Sequence, residues 1–214
     1  MLRWVPILIL AMCSSVSIST PCNAESRYRL VENTLIFNMT LKDPEHEFTG
    51  KLESYDSKKI AAFLFEYPEI STLKLTGSGG SIPAARQIAD QIDDYGINTI
   101  AFGVCESACT RIFIAGHERK LEPGSRLGFH RQWLDASALK HYFEKRNEAN
   151  RWNDEFDYFG WYYDILLDNL IKDLKFMQTK GISIAFVLNY LSYKGHEIWV
   201  PSIEELFIAG VLTH

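Results

Sequence analysis

Glycines that stand where a strand pattern gives way to a helical one constrain this chain more than any other feature. Between residues 71 and 131 this happens in a compact run. Ser71–Thr76 is predicted as a strand and Gly77-Ser78-Gly79-Gly80 as a tight loop. Ser81 can cap a helix that runs to about Tyr95 through Ala84, Ala85, Ile88, Ala89 and Ile92, with Gly96 ending it. Asn98–Phe102 reads as the next strand, Gly103–Ser107 as a turn, Ala108–Ala115 as a helix, and Ser125–His130 as another short strand. Strands alternating with helices imply parallel pairing through right-handed crossovers, an α/β fold.

The flanks add elements around this centre. Residues 25–45 read as an extended lead-in with a strand at Leu35–Phe37, and Glu47–Ser54 as a second strand. A helix capped by Asp56 or Ser57 follows, apolar at Ile60, Ala61, Phe63 and Leu64 and closed by Pro68. Helical spacing returns at Asp135–Phe143, Asn153–Met177 and Ile182–Leu191. Ile198–Val200 is a last strand, and Pro201 or Ser202 opens a closing helix that Gly210 ends. No linker interrupts the chain, and its 214 residues suit one domain over 25–214 behind an N-terminal segment.

That segment, 1–24, reads as a secretory signal peptide. Arg3 supplies the positive start, Val5–Met12 a short apolar run, and Cys22-Asn23-Ala24 a small-x-Ala cleavage pattern before Glu25. The run falls short of the ~20 residues a membrane span needs. A periplasmic or secreted protein is expected; an uncleaved signal anchor is the alternative. The formal charge of −5, without a Lys/Arg block, argues against nucleic acid, which demands a basic stripe. Beyond the segment only Cys105 and Cys109 remain, too few for structural zinc. An oxidising compartment would permit a bridge between them; two small buried thiols are the other reading.

Three segments could do chemistry. The Gly77–Gly80 loop lets backbone approach a ligand and leads into helix N–H groups. Ser107 stands at a strand-to-helix turn, either as a nucleophile or as a helix cap. His130 ends a strand, as a general base or as a satisfied buried histidine.

In order and spacing the three segments resemble the Clp protease proteolytic subunit, and more closely its exported bacterial relatives. The resemblance covers residues 70–131, about 60 residues, and is carried by Leu75–Ser81, Cys105–Thr110 and Gly124–His130, with Glu197–Val200 and Ile203–Gly210 resembling a C-terminal element. The resemblance implies a ClpP/crotonase-like spiral of ββα units with a helical C-terminal region. It implies Ser107 as nucleophile, His130 as base, and the Gly80 and Ala108 N–H groups as the oxyanion hole. The family usually places an aspartate just before the last strand; here Glu197 is the nearest carboxylate and His196 its neighbour. Cys105 and Cys109, which flank the serine, depart from the Clp subunit proper and read either as a clamp on its turn or as two packed thiols.

The function expected is that of an exported serine hydrolase acting on peptide or protein substrates, without metal or cofactor. The alternative is a catalytically inactive module that holds an extended peptide in the same groove. A crotonase-type acyl-CoA enzyme is a third reading, against which export argues. Self-association into a homo-oligomer is left open, and no ATPase partner is expected outside the cytoplasm.

Overall fold

The computed structural model describes residues 26–43, 46, 50–132, 135–146, 151–194 and 196–213. Residues 1–24, expected to be a signal peptide, therefore lie outside the described residues, as do Gly195 and Trp133. The sheet is built from β1 (Tyr28–Val31), β2 (Thr34–Asn38), β3 (Thr72–Gly77), β4 (Asn98–Glu106), β5 (Arg119–Leu121) and β6 (Arg126–Gly128). The helices are α1 (Ser54–Glu66), α2 (Ile82–Asp94), α3 (Ala108–Ala115), α4 (Ala136–Arg146), α5 (Glu155–Thr179), α6 (Ile184–Ser192) and α7 (Ile203–Ile208). This is the α/β class with a helical C-terminal region that the sequence predicts.

β1 and β2 form an antiparallel hairpin; every later pairing is parallel. The order is β1-β2-β3-β4-β5, with β6 also on β4. β5 lies along Thr99–Ala101 and β6 along Val104–Glu106, so two short strands share one edge of β4 in succession. The chain climbs along β4 as it turns, which is the spiral. Between Leu75 and Gly77 of β3 the partner advances from Ala101 to Cys105, a bulge in β4. Bulges bend a strand and re-aim its end. Here Thr76 Oγ1 holds the Val104 carbonyl at 2.9 Å, and the bent strand leads directly into Ser107.

Alternate side chains of the central strands, Leu73 and Leu75 with Ala101 and Cys105, are buried. They pack against the inner faces of α1, α2 and α3, where Ile60, Leu64, Ala85, Ile88, Ile92 and Phe113 are also buried. On the C-terminal side Phe129, Phe186, Tyr190 and Trp199 form an aromatic cluster, with Phe129 and Phe186 edge to face at 5.0 Å.

Two sequence expectations change. Of the strand read over Glu47–Ser54, the described part makes only the Leu52–Gly80 bridge. Ser54 already belongs to α1, because Glu53 and Asp56 form a reciprocal capping box at its start. The last strand, Ile198–Val200, is a single antiparallel bridge from Trp199 to Phe129.

Candidate active site

β4 ends at Glu106 and α3 begins at Ala108, so the whole reversal falls on one residue. Ser107 has φ 56° and ψ −125°, a region that residues with side chains rarely adopt. Ser107 holds the N-cap position of α3, yet its side chain makes no capping hydrogen bond; the residue is half-buried and lines a cleft. Ser107 N–H donates to the Gly128 carbonyl at 3.0 Å. Cys105 and Cys109 are joined by a disulfide across this turn, with Cα atoms 5.3 Å apart. Both are fully buried.

The glycine loop lies against the same turn. A side chain on Gly79 (φ 82°) would come within 2.7 Å of Ala108 N and 2.8 Å of the Glu106 carbonyl, so contact this close requires glycine. Leu52 N–H donates to the Gly79 carbonyl and Ser81 N–H to the Leu52 carbonyl, each at 2.8 Å. Gly80 N–H, between them in register, points away from Leu52. Neither Gly80 N–H nor Ala108 N–H has a partner among the described residues, and both residues line the cleft with Ser107 and His130. Ala108 N–H is also one of the free donors at the start of α3.

His130 reaches the cleft two residues beyond Gly128. Its Nδ1 lies 2.8 Å from the Arg131 carbonyl. A carbonyl only accepts, so Nδ1 is the donor there, and in the neutral ring the lone pair falls on Nε2. No hydrogen bond joins Ser107 and His130. Glu197 does not orient the imidazole: its side chain is exposed, and Oε2 accepts from Lys194 N–H at 3.0 Å. Among the described residues no carboxylate is paired with His130. The structure thus brings Ser107, His130, Gly80, Ala108 and the bridged cysteines together and leaves Glu197 apart.

The cleft has a volume of about 570 Å³. It is lined by Leu166, Leu167, Leu170 and Asp173 of α5 and by Arg111 and Tyr190, among others. None of these was legible as a site residue, although Arg111 stands one helical turn after Ser107. Burial pulls the Arg111 guanidinium below its ordinary pKa, against the opposing charge of Asp173. Burial, with the Asp173 charge adding to it, pushes the Tyr190 phenol up to about 12. Among the described residues no cluster of His, Cys, Asp and Glu could hold a metal ion, and no helix is long and apolar enough to cross a membrane.

No family model matches the chain, and no curated protein matches it. Among solved structures it is similar to a "putative enoyl-CoA hydratase" from Streptomyces coelicolor A3(2). Sequence identity is 14% and the TM-score 0.47, over 95% of this chain and 71% of that one.

Proposed function

We propose that the chain is a serine hydrolase that cleaves peptides outside the cytoplasm. The observation that carries this reading is Ser107, held at φ 56° with an uncapped side chain beside two unpartnered backbone N–H groups. A strained serine between strand and helix, next to free amide donors, is what an acyl-transfer nucleophile requires. In this reading Ser107 Oγ attacks the scissile carbonyl as His130 Nε2 takes its proton. Gly80 and Ala108 N–H hold the oxyanion. His130 returns the proton to the leaving amine, and water then releases the acyl group by the same route. The Arg131 carbonyl fixes the imidazole tautomer, the task a carboxylate performs in a triad. A buried disulfide beside the nucleophile supports an oxidising compartment, and with it the export signal.

A second reading rests on a specific observation: no hydrogen bond joins Ser107 to His130 and no acid supports the imidazole. In it the cleft binds an extended peptide without cutting it. A serine-reactive fluorophosphonate probe separates the two. In the hydrolase, labelling is lost in Ser107→Ala and falls by about a thousand-fold or more in His130→Ala. Glu197→Gln stays within about two-fold of wild type, because that carboxylate serves a local turn. A wild-type protein that never labels, yet binds peptide as well as Ser107→Ala does, is the binding module.

A further inference from the structure

Among the described residues the two buried arginines, Arg27 and Arg119, use all or most of their N–H groups, and the half-buried Arg111 is the exception. Arg27 makes five hydrogen bonds, to Asp56 through Nε and Nη2, and to the carbonyls of Met39, Leu41 and Lys51. Arg119 makes four, to the carbonyls of Val211, Gly116, Lys180 and Gly210. Arg111 makes one, from Nη1 to Asp173 Oδ1 at 2.6 Å. Its Nε is buried with no partner. A buried donor left unsatisfied is costly, and a charged one more so. The exception is the arginine that lines the catalytic cleft.

Charge points the same way. Asp173 is already held by Arg86, whose Nη2 lies 3.0 and 3.1 Å from its two carboxylate oxygens. Two guanidiniums therefore meet one carboxylate. Asp90, whose charge Arg111 also feels, is exposed and lies off the cleft wall. The Arg111 guanidinium carbon lies 4.1 Å from the centroid of the Phe176 ring, a contact that helps to hold it in place. A strut between α3 and α5 needs no surplus charge; an apolar pair would serve it as well. A fixed, half-paired guanidinium one turn from the nucleophile fits a planar anion that arrives with the substrate.

We infer that Arg111 is a specificity-determining residue that receives an acidic side chain on the acyl side of the scissile bond, with Leu166, Leu167 and Leu170 covering its aliphatic stem. This rests on Ser107 being the nucleophile for the assignment of the acyl side, but not for the binding of the acid.

The test uses acetyl-tripeptide 4-nitroanilides that end in glutamate, glutamine or leucine. Their affinities for Ser107→Ala protein are measured by calorimetry, and their turnover by the wild type. Glutamate is expected to exceed glutamine by about ten-fold or more, the size of one charge-assisted hydrogen bond. The ratio falls to within about two-fold when Arg111→Gln is added and rises when Asp173→Asn is added, since the latter frees the guanidinium. A merely structural role predicts that both variants weaken the protein without moving the ratio. If Arg111→Gln does not fold, the Asp173→Asn ratio decides: a rise supports the assignment and no change overturns it. A wild type that does not discriminate, or a preference carried instead by Arg131→Gln, also overturns it. Fluorophosphonate labelling of the same wild-type preparation keeps the two questions apart. Labelling without an acid preference defeats the Arg111 assignment alone. An Arg111-dependent preference without labelling defeats the hydrolase alone.

Discussion

The difference between a buried charge that stabilises and one that awaits a ligand is visible at single residues. Arg27 and Asp56 are 4% and 1% exposed, and two 2.8 Å hydrogen bonds join them side by side. Tyr28 O–H donates to the same carboxylate. Burial alone would lower the Arg27 pKa, but the hydrogen bonds and charge of Asp56 hold it above its ordinary value. Asp56 also accepts from Glu53 N–H at 2.7 Å, so one carboxylate starts α1 and anchors the β1–β2 hairpin to it. Removing one member of such a pair strands the other in a low-dielectric site. Asp56→Ala is therefore expected to cost about 3–5 kcal/mol in urea unfolding. Asp56→Asn, which keeps an acceptor but not the charge, should cost less. A loss under about 1 kcal/mol for Asp56→Ala would show that the pair carries little.

At the scale of elements, the glycine loop and the serine turn act as one unit, because the Gly79 backbone sits where any side chain would strike Ala108 N and the Glu106 carbonyl. Both are backbone atoms of a turn already pinned by a disulfide and by Gly128, so neither yields cheaply. Gly79→Ala should displace Ser107 and Ala108 from their common geometry and slow fluorophosphonate labelling by about a hundred-fold, the effect of a misplacement near 1 Å. Gly96→Ala is the control. Gly96 also has positive φ (63°), but nothing lies within 4 Å of an added Cβ. It should cost about 1 kcal/mol of stability and leave labelling unchanged. Equal labelling in the two variants would break the link between loop and turn. This unit was legible in the sequence because it is local: glycines, a cap at Ser81 and an apolar strand announce it within 40 residues. β5 was not legible. Three residues, two of them charged, carry no period, and β5 exists because β4 offers it an edge. The fate of Glu197 was equally hidden. Its backbone runs beside the His130 segment, but whether its carboxylate turns to the imidazole or to Lys194 N–H is settled by a local turn.

For the molecule as a whole, the question is what holds the helical C-terminal half against the sheet that carries the site. Much of the answer is Arg119. It leaves β5 and gathers carbonyls from beyond the C-terminal ends of three helices: Gly116 after α3, Lys180 after α5, and Gly210 and Val211 after α7. Helix C-termini carry partial negative charge, so a cation among three of them needs no carboxylate. Arg119 N–H donates to Thr213 Oγ1 at 2.8 Å and its carbonyl accepts from Thr213 N–H at 3.1 Å, which stitches the end of the chain to the strand. Behind this clamp, Leu206, Ala209, Val211 and Leu212 are buried, and α6 presents Phe186 to Phe129, the residue before His130. Arg119→Leu leaves several buried carbonyls unpaired at about 1–3 kcal/mol each, and a total loss of at least about 3 kcal/mol is expected. Hydrogen exchange should quicken in α6 and α7 before it does in β3 and β4. Arg119→Lys restores the charge but not the fork, and should fall between wild type and Arg119→Leu in both measurements. If Arg119→Leu unfolds within about 0.5 kcal/mol of wild type, as an ordinary surface substitution would, or if exchange rises first in the central strands, the C-terminal half is held to the sheet by its apolar contacts alone.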